Sequence, residues 1–213
     1  KAITRSADGV EIIGSDGHRR RFHEVVIATH ADQALALLAD PGEAEGRLLG
    51  SFDYVVNDTF LHSDTRLMPR RRRTWSSWNY MTRNEGDQRG LSVTYWMNRL
   101  QNIPADTPLF VTLNPARHPR PGTFHHSESY DHPIFDTAAI AAQSRLWQLQ
   151  GVKRTWFCGA YFGAGFHEDG LQAGLAVAEE LGGVRRPWSV ASESGRIVLS
   201  PRGRVYGERE PLR

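Results

Sequence analysis

Cys158-Gly159-Ala160-Tyr161-Phe162-Gly163-Ala164-Gly165-Phe166-His167-Glu168-Asp169-Gly170-Leu171-Gln172-Ala173-Gly174 is the stretch whose reading decides the fold. Ahead of it, Thr155-Trp156-Phe157-Cys158 reads as a short strand. After it, Leu171, Gly174, Leu175, Ala178 and Leu181 share one side of a helix that Gly182-Gly183 closes. A strand thus runs through a glycine-rich loop into a helix. Glycine lacks a Cβ, so the backbone of such a loop can approach a ligand closely. The helix start adds unpaired amides and a partial positive charge, which suit an anionic or electron-rich ligand edge. A plainer alternative is that Asp169 caps the helix and the glycines make a tight turn. The spacing is not GxGxxG, because Glu168 stands where the third glycine would be.

Outward from that segment, the chain alternates between two styles. Val10, Ile12 and Ile13 form an apolar patch, Ser15-Asp16-Gly17 a turn, and Arg19 to Phe22 a returning strand. Val25-Val26-Ile27-Ala28 is a short continuous apolar run, expected as a strand buried on both faces. Thr29-His30-Ala31-Asp32 leads into a helix from Gln33 to Leu38, stopped by Asp40-Pro41-Gly42. The middle of the chain instead shows period-two patterns: Phe52, Tyr54, Val56 and Phe60; Leu91, Val93, Tyr95 and Met97; Leu109, Val111 and Leu113. These predict a mainly antiparallel sheet with those odd-numbered residues of 91–97 on its apolar, buried face. From Asp136 the helical period returns, with Ala138, Ala141, Ala142, Leu146 and Leu149 on one face. Residues 189–213 form a tail with one hairpin-like stretch, Gly195 to Val205, and no function legible in it.

Composition narrows the class. The 213 residues are 39% hydrophobic and 23% charged, as in a globular protein. A formal charge of +2 gives no reason to expect a nucleic-acid partner. No apolar run approaches the roughly 20 residues of a membrane-spanning helix. Cys158 is the single cysteine, which excludes an internal disulfide and favours a reducing, cytoplasmic setting with Cys158 in the core. The first residue is Lys1 and the segment from Ile3 already reads as strand, so a cleaved or truncated start is expected.

The order of these elements resembles the two-domain flavoproteins: flavin amine oxidases, phytoene-type desaturases and protoporphyrinogen oxidases. The resemblance rests on Val25-Val26-Ile27-Ala28-Thr29 with its helix, the β-rich excursion, and the glycine segment. More narrowly, Leu67-Met68-Pro69-Arg70-Arg71-Arg72, Trp75-Ser76-Ser77-Trp78-Asn79-Tyr80 and Thr94-Tyr95-Trp96-Met97-Asn98 are similar to a bacterial branch described as NAD/FAD-binding or amine-oxidase-like proteins. It covers roughly residues 1–188. The resemblance implies a mixed α/β and α+β fold: a partial, Rossmann-like FAD-binding domain with an inserted antiparallel-sheet substrate domain. Residues 1–38 and 150–188 would belong to the FAD domain and 39–149 to the substrate domain. It also implies FAD as cofactor, with Ala28, Thr29, Gly159, Gly163, Gly165, Asp169, Gly170 and Leu171 near it. The implied chemistry moves hydride from a substrate C–H to flavin, the substrate being an amine or an apolar acyl or isoprenoid chain.

Two departures matter. No GxGxxG occurs in the 213 residues, so the adenosine and diphosphate grip is missing, and the chain alone is expected to bind FAD weakly and to be inactive. A missing N-terminal half, or a separate nucleotide-binding chain, is the expected partner; a non-catalytic assembly lobe is the rival reading. Gly159 is followed by Ala160 and Tyr161, not by the acidic residue many relatives use for the ribityl chain.

Other residues carry smaller expectations. Trp75, Trp78, Tyr80 and Trp96 are candidates to line a substrate cavity, or to pack beneath a loop. His167 adjoins the glycine segment and is the one candidate for proton handling, with a loop hydrogen bond as its plainer role. Arg70 to Arg73 read as a solvated loop. His125, His126 and His132 match no zinc spacing, and no metal is expected.

Overall fold

The computed structural model describes residues 1–85, 88–188 and 195–199. The chain divides into two compact units, Lys1–Tyr54 with Pro133–Arg213, and Val55–His132. The sequence placed the divisions at 38/39 and 149/150. They fall elsewhere because Leu48, Leu49 and Phe52 on one side, and Ala139, Ala142, Leu146 and Leu149 on the other, share the core of the first unit.

In the first unit, β1 (Ala2–Ser6), β2 (Gly9–Ile13) and β3 (Arg19–Phe22) form an antiparallel meander. The turn between β2 and β3 needs Gly17, whose φ of 75° is one that side chains resist. β4 (Val25–Ile27) leads into helix α1 (Ala31–Leu37), and α2 (Glu43–Leu49) follows, a helix the sequence left unassigned. The second unit then intervenes with β5 (Tyr54–His62), β6 (Trp78–Glu85), β7 (Gln88–Trp96), the short α3 (Met97–Leu100), β8 (Phe110–Leu113) and β9 (Phe124–Pro133). The first unit resumes with α4 (Thr137–Gln143), β10 (Thr155–Phe157) and α5 (His167–Glu180).

β4 and β10 pair in parallel, Val25 against Thr155 and Ile27 against Phe157. Among the described residues neither strand has another neighbour. Val25, Ile27 and Phe157 are buried, but Val26 is 45% exposed, so the run is buried on one face only. The core beneath it is closed by alanines, Ala31, Ala34, Ala139, Ala173 and Ala176, whose small side chains let the helices sit close.

α5 is turned opposite to the sequence expectation. It buries Ala173, Ala176 and Val177 and leaves Leu171 (55%) and Leu181 (41%) exposed, with Ala178 exposed as well. The helix near 137–149 is also shorter than its period suggests: α4 stops at Gln143 and a 3-10 turn carries Leu146–Leu149, so Ala138 and Ala141 face out.

The second unit is a five-stranded sheet in the order β6-β7-β8-β5-β9. Its covered face is the polar one: Asn79, Ser92, Thr94, Thr112 and His62 are all buried. The odd-numbered apolar positions lie on the other face, where Trp78, Tyr80 and Leu91 are exposed. The reason is the segment after β5, whose Leu67 and Met68 are buried and from which Trp75 packs edge-on to Phe110 at 5.8 Å. The covered face satisfies its own polar groups. His62 Nδ1 accepts the Asp64 amide, and its Nε2 meets Thr112 Oγ1 at 2.7 Å. Thr112 meets Thr94, which donates to the Leu67 carbonyl at 3.1 Å. Buried polar groups arranged this way stabilise the fold because none is left unpaired.

Candidate functional site

Parallel strands deliver their loops to one end, and ligand crevices of α/β proteins lie outside the carboxyl ends of such strands. Here β4 ends in Ala28-Thr29-His30 and β10 ends in the glycine segment. The Cys158 amide donates to the Ile27 carbonyl at 3.1 Å, and a Cβ on Gly159 would lie 3.2 Å from the Thr29 carbonyl oxygen. Ala28, Thr29, Gly159 and Ala160 are therefore brought together. Ala28 is exposed; Thr29 is half-buried, its hydroxyl donating to the His30 carbonyl.

The glycines clear space for the protein's own side chains. A Cβ on Gly159 would strike the Tyr161 ring at 2.7 Å, and one on Gly165 would strike the Phe135 ring at 2.9 Å. One on Gly163 would lie 2.6 Å from Asp169 Oδ1 and 2.8 Å from the Arg196 carbonyl oxygen. Gly170 has ordinary room, its nearest neighbour at 3.6 Å. Gly163 is buried, so its backbone offers no surface to a ligand. Gly163→Ala is expected to lower stability by roughly 1–2 kcal/mol, measured by urea unfolding.

Asp169 is fully buried and turned inward. Its Oδ2 accepts the Phe166 amide at 2.7 Å, the capping arrangement, and its Oδ1 takes the Arg196 Nε at 2.6 Å. The carboxylate is thus withdrawn from the helix mouth, and the cap reading of this residue describes its position. Arg196, 27 residues further on, was not singled out in the sequence, where no spacing marks it. Glu168 accepts from Gln172 at 2.9 Å, one turn along. The exposed rim that remains consists of Ala164, Gly165, Phe166, His167, Glu168 and Leu171.

Just inside the rim sit four titratable side chains. His30 stacks on Tyr54 at 4.6 Å, and the Ala31 amide donates to Tyr54 Oη at 2.9 Å. Burial pushes the Tyr161 hydroxyl well above its ordinary value, with Cys158 and Tyr54 adding to the effect. Burial also raises the Cys158 thiol, so both stay protonated at neutral pH. Among the described residues, Tyr161 Oη and His30 Nδ1 are buried without a hydrogen-bond partner.

The aromatic candidates of the second unit divide between its faces. Trp75 and Trp96 meet edge-on at 5.4 Å on the covered face, with Trp75 Nε1 donating to the Pro69 carbonyl. Packing beneath a loop describes them. Trp78 and Tyr80 stand on the open face, at 41% and 62% exposure. Arg70 to Arg73 are exposed, Arg72 lying over the Trp75 ring. His125 and His132 bond to Ser63 and Asn57 respectively, and His126 faces Glu128. Among the described residues no group of three His, Cys, Asp or Glu side chains is placed to hold a metal, and no helix is long and apolar enough to cross a membrane.

No protein-family model matches this chain, and no curated protein matches it. Solved structures do. Reduced UDP-galactopyranose mutase aligns with a TM-score of 0.52 at 13% identity, over 85% of this chain and 46% of its own. The chain shares part of the mutase fold. A CLA-producing fatty acid isomerase from P. acnes aligns with a TM-score of 0.41 at 13% identity, over 74% of this chain and 41% of its own. The chain therefore spans less than half the length of either protein. The architecture is mixed α/β with antiparallel sheets.

Proposed function

We propose that this chain is the flavin-facing part of an FAD-dependent oxidoreductase. The observation that carries the reading is the end of the β4–β10 pair, where Ala28-Thr29 and the Gly159–Leu171 segment meet beside the start of α5. Both the resemblance of the sequence to flavin amine oxidases and the partial likeness to a mutase solved in a reduced state support it.

The residues present fit such a group. The first amides of α5, at His167 and Glu168, have no backbone acceptor within the helix; of the two carboxylates in that turn, Asp169 is buried against Arg196 and Glu168 accepts from Gln172. Phe166 and Leu171 set apolar surface beside those donors, at 48% and 55% exposure. Donors next to apolar surface suit a heteroaromatic ring with a polar edge. Bound there, the flavin would supply the acceptor for hydride from a substrate C–H. The α5 start would stabilise negative charge on the ring's polar edge. His167, exposed at the first position of α5, is the side chain placed to move a proton at that edge.

The nucleotide grip would come from further polypeptide. A parallel pair of two strands, with Val26 uncovered, falls short of the sheets in which parallel strands are stable, which are covered on both faces. The outward stripe of Leu171, Ala178 and Leu181 on α5 gives a second apolar surface of the same kind. A nucleotide-binding half that adds parallel strands would cover them. An amine substrate follows from the resemblance; the open face of Trp78, Tyr80 and Leu91 favours instead desaturation of an apolar chain.

Without that half, FAD is expected to bind with a Kd on the order of 0.1–1 mM. Leu171→Asp, an exposed change that places negative charge beside the ring, is expected to weaken binding about tenfold with an unchanged circular dichroism spectrum. Flavin fluorescence titration checks both. An equal Kd for the variant would remove α5 from the site.

A further inference from the structure

The second unit holds a cavity that the flavin reading does not use. It is a solvent-open hollow of about 300 Å³ between the 81–82 and 90–92 segments of β6 and β7, the Arg66–Leu67 turn and the loop Asn114–Arg117. That volume lies at the lower end of the range for small-molecule sites. Leu67, Met81 and Pro115 make its walls apolar.

Among the described residues, its polar side chains are committed to one another or to backbone except Thr82 and Arg117. Arg66 forks onto Asp64, both Nε contacts measuring 3.0 Å. Ser92 Oγ donates to the Leu113 carbonyl at 3.2 Å. Asn114, at φ 48°, holds the loop in place: its Oδ1 accepts the Asp58 amide and its Nδ2 donates to Asn57 Oδ1. Arg117 is exposed and, among the described residues, makes no ion pair or hydrogen bond. An apolar pocket with fixed walls and one uncommitted guanidinium at its rim matches a ligand with one anionic end and a short apolar body. The planar fork of arginine favours a carboxylate.

We propose that this cavity binds a small amphiphilic carboxylate, with Arg117 holding the carboxylate and the walls formed by Leu67, Met81 and Pro115 holding the apolar body. The site belongs to the second unit alone and stands or falls independently of the flavin reading.

Calorimetric titration of the full chain with sodium octanoate at neutral pH and low salt tests it. Saturable binding is expected, with a Kd on the order of 0.1–1 mM. Arg117→Gln is expected to bind about tenfold more weakly, and 1-octanol to bind the wild type more weakly than octanoate. Met81→Asp, which puts a charge on the apolar wall, should abolish binding; a folded wild type and R117Q by circular dichroism keep the test readable if M81D fails to fold. No saturation below about 10 mM octanoate, or an unchanged Kd in R117Q, would overturn the proposal and leave FAD binding by the glycine segment unaffected.

Discussion

Arg5→Met is expected to destabilise the first unit by about 3–5 kcal/mol. The Arg5 side chain is fully enclosed and reaches from β1 to α2, where it pairs with both oxygens of Glu45, itself only 4% exposed. The same guanidinium bonds Asp40 through its side chain at 3.0 Å and through its carbonyl at 2.8 Å. Glu45 Oε2 also accepts the Gly42 amide at 2.7 Å, so the carboxylate fixes the start of α2. Removing only the arginine leaves that carboxylate buried with no compensating charge. Methionine at both positions should recover most of the loss, because an apolar pair replaces an ionic pair without an orphaned charge. Urea unfolding of the single and double variants measures the coupling. Equal destabilisation in both would show that lost packing, not the stranded charge, dominates.

Acidification should weaken the second unit, and His62→Ala should remove about 3 kcal/mol at neutral pH. His62 is fully buried, and burial lowers its pKa from 6.5 to about 4, against the opposing pull of Asp64. The folded ring is therefore neutral across a range in which the unfolded chain takes up a proton. Stability from this residue is complete above pH 6.5 and is lost as the pH falls towards 4. The loss over that window is about 2 kcal/mol after allowance for solvent screening. Hydrogen exchange of β7 and β8 amides across the window measures it. In His62→Ala that part of the pH dependence should be absent; if it persists, another group carries it.

These buried polar groups mark the boundary of what was legible in the sequence. The strand, glycine loop and helix of 155–180 were readable because a short apolar strand, glycine punctuation and a helical period follow one another within 26 residues. The parallel pairing of β4 with β10 joins strands about 130 residues apart and has no local signature in the sequence. Period-two alternation in 91–97 separated two faces, but its apolar, odd-numbered face was expected to be the buried one and the even-numbered face is covered instead. That depends on Leu67, Met68 and Trp75, a segment some 20 residues upstream whose packing leaves no local signature. The orientation of α5 failed for a related reason. Its leucines form the larger apolar stripe, yet the core of the first unit takes Ala173, Ala176 and Val177 instead. Asp169 was legible as a cap through its position three residues after Phe166, whereas its partner Arg196 was not. The glycines of the segment were noticed for the right reason, absence of a Cβ, but Tyr161, Asp169 and Phe135 occupy the space they leave.

The central claim is that the end of the β4–β10 pair faces a flavin. Amide chemical shifts of the labelled chain, followed by NMR during titration with FAD, test it most directly. Shifts are expected to saturate in the millimolar range and to cluster at Ala28-Thr29, Ala164 to Leu171 and their immediate neighbours. Absence of shifts at the highest FAD concentration, or a cluster of shifts around the Arg117 cavity instead, would contradict it.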